Sequence, residues 1–312
     1  MSAPNVLVPI QITDAMLTSS TAPEPAAGET AWNAATSYTV GQECILTSTH
    51  RVYACQISGV DAISPHLALT GASPRWKDIR ATNRWSCLDM RRNNQTVLVT
   101  PFTMVLRPGI FNAIKFYGLD GSAISVSIKD APGGTVFYTH SADLMELPMD
   151  HYDYYFGRIK PISKVLCSDI VPYEDPEVTI TITAGTGATV KAGIIAIGDM
   201  RQLLADPEKG GTQYGASAKP VTGSYVAMDS AGYNSINSRA KGTDLDIRVQ
   251  VPIEDANSAL STLQDVLDVP VSWMAGDAGN FSGLDSFGIG SGSVSYAGPE
   301  HAVISINVRG IY

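Results

Sequence analysis

The chain has 312 residues, 21 of them basic and 30 acidic, for a formal net charge of −9. Only 16% of it is charged, against roughly 25% for an average soluble protein, and its 29 Ser and 24 Thr together outnumber the 51 charged residues. Such a chain lacks the basic footprint that nucleic acid requires, has no apolar run long enough for a spanning helix, and shows no basic start and apolar core of a secretory signal in residues 1–30.

At 44% hydrophobic the chain can fill a real core, and its length suits two or three domains. Val6–Ile10 reads as a short strand. Thr18–Thr30, rich in Ser, Thr, Pro and Ala, reads as an extended stretch, so residues 1–30 are expected to form an arm that lies on something else, such as a neighbouring chain.

Residues 31–86 form an aromatic segment holding three of the four tryptophans. Strands are expected near Glu43–Thr47 and Arg51–Ile57. Cys44 and Cys55 flank that hairpin. They are either two half-buried thiols or a cross-strand disulfide. Cys87 and Cys167 complete the set, and the absence of Cys-x-x-Cys spacing argues against zinc.

Residues 87–205 read as a β-sandwich or jelly roll. Val178–Thr183 alternates with period two, as do Ile124, Val126 and Ile128 with Ser125 and Ser127. Further apolar runs lie at Val97–Leu106, Phe111–Tyr117 and Ala192–Ile197, separated by Gly- and Pro-containing turns. Thr179, Thr181 and Thr183 form either a solvated outer face or a subunit contact.

Residues 206–222 read as a linker. Residues 223–312 read as a small α+β domain: a strand at Leu245–Val251, a helix with Ala259, Leu260, Leu263, Val266 and Leu267 on one face, and strands at Val271–Met274 and Ile304–Val308. Gly276–Gly292, with six glycines, reads as a long mobile loop. The overall expectation is a mainly β chain.

Two groups of residues carry a family likeness. Trp32, Tyr38, Val40-Gly41, Val52-Tyr53, Pro65 and Trp76 follow the order of a small chitin-binding-type carbohydrate-binding module of families five and twelve. The segment resembles that module over about 45 residues, departing from it at Glu43-Cys44. Asn5-Val6-Leu7-Val8-Pro9, Ala81-Thr82-Asn83-Arg84-Trp85 and Val269-Pro270-Val271-Ser272-Trp273 look like tail or baseplate proteins of tailed phages.

The likeness implies a non-enzymatic structural subunit of a virion tail, assembled in the host cytoplasm as a homo-oligomer with other tail proteins. It also implies a second role: attachment to host surface polysaccharide through residues 31–86. Trp32, Tyr38, Tyr53 and Trp76 are the candidate sugar-stacking residues. The alternative is that they form the core of a small domain with few other large side chains.

No catalytic set stands out. Gly290-Ser291-Gly292 lacks the strand–helix context of a nucleophile elbow, and no phosphate loop or dinucleotide fingerprint is present. A glycosidase would need two carboxylates roughly 5–9.5 Å apart across a cleft, and nothing nominates such a pair. His140, Asp143, Asp150, His151 and Asp153 cluster in sequence, as either a metal site or a polar loop. The polar loop is the expectation, with no metal and no cofactor.

Overall fold

The structure, a computed structural model, describes residues 4–311 apart from 72, 91–93, 147–149, 158–159, 205, 207, 229–231, 233, 238–240, 277–280, 282 and 297. It is mainly β, as the alternating patterns require. Among the described residues, ten strands form one antiparallel sheet. Its order is Lys164–Cys167, Ala113–Tyr117, Ile194–Gln202, Asn5–Pro9, Val271–Met274, Asp285–Ser295, His301–Gly310, Lys241–Pro252 and Gly211–Thr212, with Ser217–Thr222 also paired to Lys241–Pro252. A second sheet holds Val136–Asp143, Ala123–Lys129, Glu177–Thr183, Phe102–Leu106 and Leu17–Ser20.

The second sheet packs face to face on one end of the first. Ile124, Val126, Ile128, Val178, Ile180 and Ile182 meet Ile114, Phe116, Ile195 and Ile197 in one buried cluster. The packing is sandwich-like, as expected, with period-two strands supplying the inner face, though Leu17–Ser20 and Asn5–Pro9 join it from outside 87–205. The outer face carries the hydroxyls. Ser141, Ser125, Thr181 and Thr103 stand in register across four strands. Thr103 exchanges hydrogen bonds with Thr21 at 2.9 Å.

The helix Ile253–Asp265 covers the other end of the large sheet. It begins with Glu254 and Asp255 in its first turn, where the helix dipole favours negative charge. Ala256, Ala259, Leu263 and Val266 pack with Val249, Val251, Ile304 and Ile306. Leu267 was expected on this face but is 51% exposed, because the helix stops at Asp265 before its stripe reaches that residue.

Three expectations need correction. The first concerns the arm. Asn5–Pro9 is an inner strand, paired on one side to Ile194–Gln202 and on the other to Val271–Met274. Val6 and Leu7 are both fully buried, on opposite faces. Leu17–Ser20 pairs with Phe102–Leu106. The Glu24 carboxylate, only 4% exposed, accepts from the Thr82 hydroxyl at 2.6 Å and faces His50 Nδ1 at 3.0 Å. A charge-poor Ser/Thr/Pro segment resembles a free arm in sequence, yet this one is held by its own chain.

The second concerns the boundary at 206–222. These residues are not a free linker. Gly211–Thr212 and Ser217–Thr222 pair with Lys241–Pro252, and one sheet runs through both expected domains.

The third concerns Gly276–Gly292. From Asp285 on, this segment is an 11-residue strand. Its glycines make room for neighbours: a Cβ on Gly290 would lie 2.2 Å from the Trp273 ring. The bare backbone is what lets that indole, 1% exposed, lie across the next strand.

The apolar runs also break where backbone chemistry breaks them. Val97–Leu106 is two strands, Thr96–Val99 and Phe102–Leu106, divided at Pro101, which has no N–H to give a ladder.

All four cysteines are buried free thiols. The 43–55 hairpin sets Cys44 opposite Tyr53, while Cys55 faces Trp76 on the next strand, so the disulfide alternative is not realised. Burial pushes the Cys44 and Cys167 thiols up to about 12 and Cys87 to about 11. Such thiols favour the folded state fully below the ordinary thiol range, and that contribution is lost as pH rises toward 11–12. The denaturation midpoint should therefore fall steadily from pH 8.5 upward. A midpoint that stays flat to pH 10.5 would contradict this.

Candidate functional site

The aromatic segment carries small sheets of its own, while its Ala81 and Trp85 pack into the core of the sandwich. Glu43–Leu46, Arg51–Cys55 and Trp76–Ala81 form a three-stranded sheet, and Ser37–Tyr38 pairs with Gly59–Val60. Tyr38, Tyr53 and Trp76 are 1–2% exposed and share a core with Cys44 and Cys55. Tyr38 meets Trp76 edge to face at 5.1 Å. The Trp76 indole donates to Asp61 at 2.9 Å, and the Tyr38 hydroxyl accepts from the Asn33 amide at 2.8 Å.

These three are therefore not a stacking surface; they are the anchors a small domain needs. Trp32 alone of the four candidates is half-buried, packed against that core. Trp76→Ala should cost about 3–5 kcal/mol, where an exposed platform residue would cost within about 0.5 kcal/mol. Chemical denaturation of the full chain measures the difference.

Of the His/Asp cluster, the side chains of His140, Asp143, Asp150 and His151 fall among the described residues. Among the described residues no three His, Cys, Asp or Glu side chains are placed to hold a metal ion. The side chain of Asp153 lies outside the described residues. The adjoining helix His151–Phe156 instead exposes Tyr152, Tyr155 and Phe156, each over 70%.

Two features went unread in the sequence. The first is a hairpin. Ser217–Thr222 and Lys241–Asp246 pair at its base, and Tyr225–Met228 and Asn234–Asn237 continue it as a separate two-stranded ribbon. Val226 and Ile236 stand opposite each other, with Met228 two residues from Val226 on the same face. They are 64%, 76% and 72% exposed. Two isolated strands are at best marginally stable in water, and a cluster of large apolar side chains on such a ribbon marks a contact surface. Elsewhere on the chain lies a groove of about 600 Å³ lined by Pro23, Ala26, Ala27, Val97, Leu98 and Val99, with Glu29 and Arg80 among its polar residues.

The second is a buried polar cluster on the concave face of the large sheet. Lys115 and Asp285 belong to strands with three others between them, yet Lys115 Nζ lies 2.7 Å from Asp285 Oδ2. The sheet must curl to bring them together. Tyr117 donates to Asp285 Oδ1 at 2.7 Å, so the Ser272 hydroxyl, 2.5 Å away, donates to the phenol oxygen. Lys164 Nζ donates to the Asp285 backbone carbonyl at 2.5 Å. Leu7, Met274 and Phe287 complete the apolar surround. Burial and the Asp285 charge hold the Tyr117 phenol well above its ordinary range. A lone lysine in the apolar run Ala113–Tyr117 was the available signal, since a buried lysine requires a partner.

Comparison with protein-family models, with curated proteins and with solved structures returns no match.

Proposed function

We propose that the chain is a non-enzymatic structural subunit of a phage tail, at the tail tip, baseplate or an associated ring, and that it assembles with copies of itself. The observation that carries assembly is the apolar hairpin tip at Val226, Met228 and Ile236. Placement in a virion rests on the resemblance of Asn5–Pro9, Ala81–Trp85 and Val269–Trp273 to tail proteins.

In this reading the tip of one copy enters the groove beside Val97 and Val99 of the next. Hairpin and groove are different surfaces of one chain, so the contact is head-to-tail, and such contacts close into rings when the rotation closes. The N-terminal segment no longer serves as a free arm, because Asn5–Pro9 and Leu17–Ser20 pair within their own chain; its residues Pro23, Ala26 and Ala27 help line the receiving groove. Contact passes instead to the hairpin.

Native mass spectrometry of the full chain tests this. A multimer is expected, converted to monomer by Val226→Asp with Ile236→Asp at unchanged circular dichroism. A strictly monomeric chain at every concentration would overturn the assembly. A density map of a virion tail tests the placement, and a tail built without this chain would overturn it.

The receptor-binding reading now rests on Trp32. Its ring is the one candidate face of the four not sealed in the core, and its buried indole N–H has no hydrogen-bond partner among the described residues. Titration with soluble chitin oligomers, followed by tryptophan fluorescence, tests it: saturable quenching lost in Trp32→Ala supports attachment, and no change sinks it.

A further inference from the structure

We propose that Lys115 and Asp285 join after folding as an internal isopeptide bond, with loss of one water. Their side chains are 8% and 9% exposed, and Lys115 Nζ lies 2.7 Å from Asp285 Oδ2. In every other described ion pair at least one partner is 21% exposed or more. The surround of Leu7, Met274 and Phe287 is apolar.

Sealing an ammonium and a carboxylate from water removes most of what favours them over a neutral amine beside a neutral acid. One proton passes from Lys115 Nζ to Oδ2 to give that neutral pair. The amine then attacks the side-chain carboxyl carbon of Asp285. The N–C bond forms, the bond from that carbon to Oδ2 breaks, and a second amine proton leaves with Oδ2 as water. Nothing is oxidised or reduced, and Oδ1 stays as the amide oxygen. Tyr117 donates to Oδ1 at 2.7 Å, where negative charge gathers as the carbon becomes tetrahedral. Its phenol, held well above the ordinary range, keeps its proton for this, and Ser272 donates to the phenol oxygen.

Between free groups in water the amide is disfavoured, but a fold that holds the two in contact raises their effective concentration to as much as about 10⁵–10⁸ M. The flexible stem of lysine covers the remaining distance. A cavity of about 280 Å³, lined in part by Tyr117 and Asp285, receives the released water. The product replaces a buried ion pair, whose desolvation is costly, by a neutral amide. It staples two strands with three others between them and closes a loop of 285 − 115 = 170 residues. Long loops are where a cross-link restricts the unfolded chain most.

Mass spectrometry of the full chain, purified folded and then denatured, tests the bond. The intact chain should weigh one water less than its sequence. Trypsin should fail to cut after Lys115, and digestion should release a branched peptide joining the segments around Lys115 and Asp285. Lys115→Met should restore the full mass. Asp285→Ala and the double variant Lys115→Met with Asp285→Leu both lack the bond, so comparing their stability reads charge alone. Tyr117→Phe should slow formation of the branched peptide about a hundredfold, and an undiminished rate would overturn the role of the phenol. A wild-type chain at its full mass, cut after Lys115, would overturn the bond whether or not the variants fold. So would a lost water without the branched peptide, which marks a cyclised aspartate instead.

Discussion

A chain lacking residues 1–10 should fail to fold, giving insoluble or protease-sensitive protein. The segment looks dispensable in sequence: short, terminal and followed by a Ser/Thr/Pro stretch. Its place in the structure says otherwise. Asn5–Pro9 makes ladder bonds on both sides, and its loss would expose the facing edges of Ile194–Gln202 and Val271–Met274. Unpaired inner edges invite aggregation. Val6 and Leu7 each bury a full side chain in a different cluster, at about 1.5–3 kcal/mol apiece. Against a total stability of about 5–15 kcal/mol for a domain, that loss alone is large. Limited proteolysis of the truncated chain provides the check. A truncation that stays soluble and protected would restore the arm interpretation.

The second large effect is expected at Asp285. Asp285→Ala strands Lys115 in the concave core without a counter-ion and removes the acceptor of Tyr117. Breaking a buried pair from one side typically costs about 3–5 kcal/mol. Lys115→Met with Asp285→Leu should recover much of that, because an apolar pair leaves no uncompensated charge. Denaturation of the single and double variants measures both. If the double variant is no more stable than Asp285→Ala, packing and not charge holds the curl.

Parts of this fold were legible because their physics is local. Val178–Thr183 alternates, and it is a strand with one buried face. Val271–Met274 was bounded correctly by Pro270 and the preceding helix. The hairpin expected near Glu43–Ile57 is Glu43–Leu46 paired with Arg51–Cys55. What could not be read depends on sequence-distant neighbours. Nothing local in Asn5–Pro9 says that its partners lie about 190 and 270 residues away. Nothing in Leu284-Asp285-Ser286 announces Lys115 across the curl. Gly288, Gly290 and Gly292 read as a loop because glycine weakens a strand, until the Arg309 backbone, Trp273 and Leu263 are seen occupying the space. Three of the four sugar-site candidates were ambiguous for the same reason: Tyr38, Tyr53 and Trp76 suit either a ligand or a core, and burial alone decides.

The hydroxyl row across the second sheet has one more consequence. Ser141, Ser125, Thr181 and Thr103 align without a single ion among them, and Thr103 and Thr181 lie within hydrogen-bond reach of each other at 3.3 Å. Ionic strength screens charges, with a Debye length of about 8 Å at 0.15 M, but it leaves neutral dipoles almost untouched. A contact confined to this row would keep its strength in concentrated salt, while contacts reaching Lys129–Glu177 on the same face, or Arg201–Asp199 or Lys191–Asp120 elsewhere on the surface, would weaken. Resistance of an assembly to molar salt would thus indicate that the neighbour sits on the hydroxyl row.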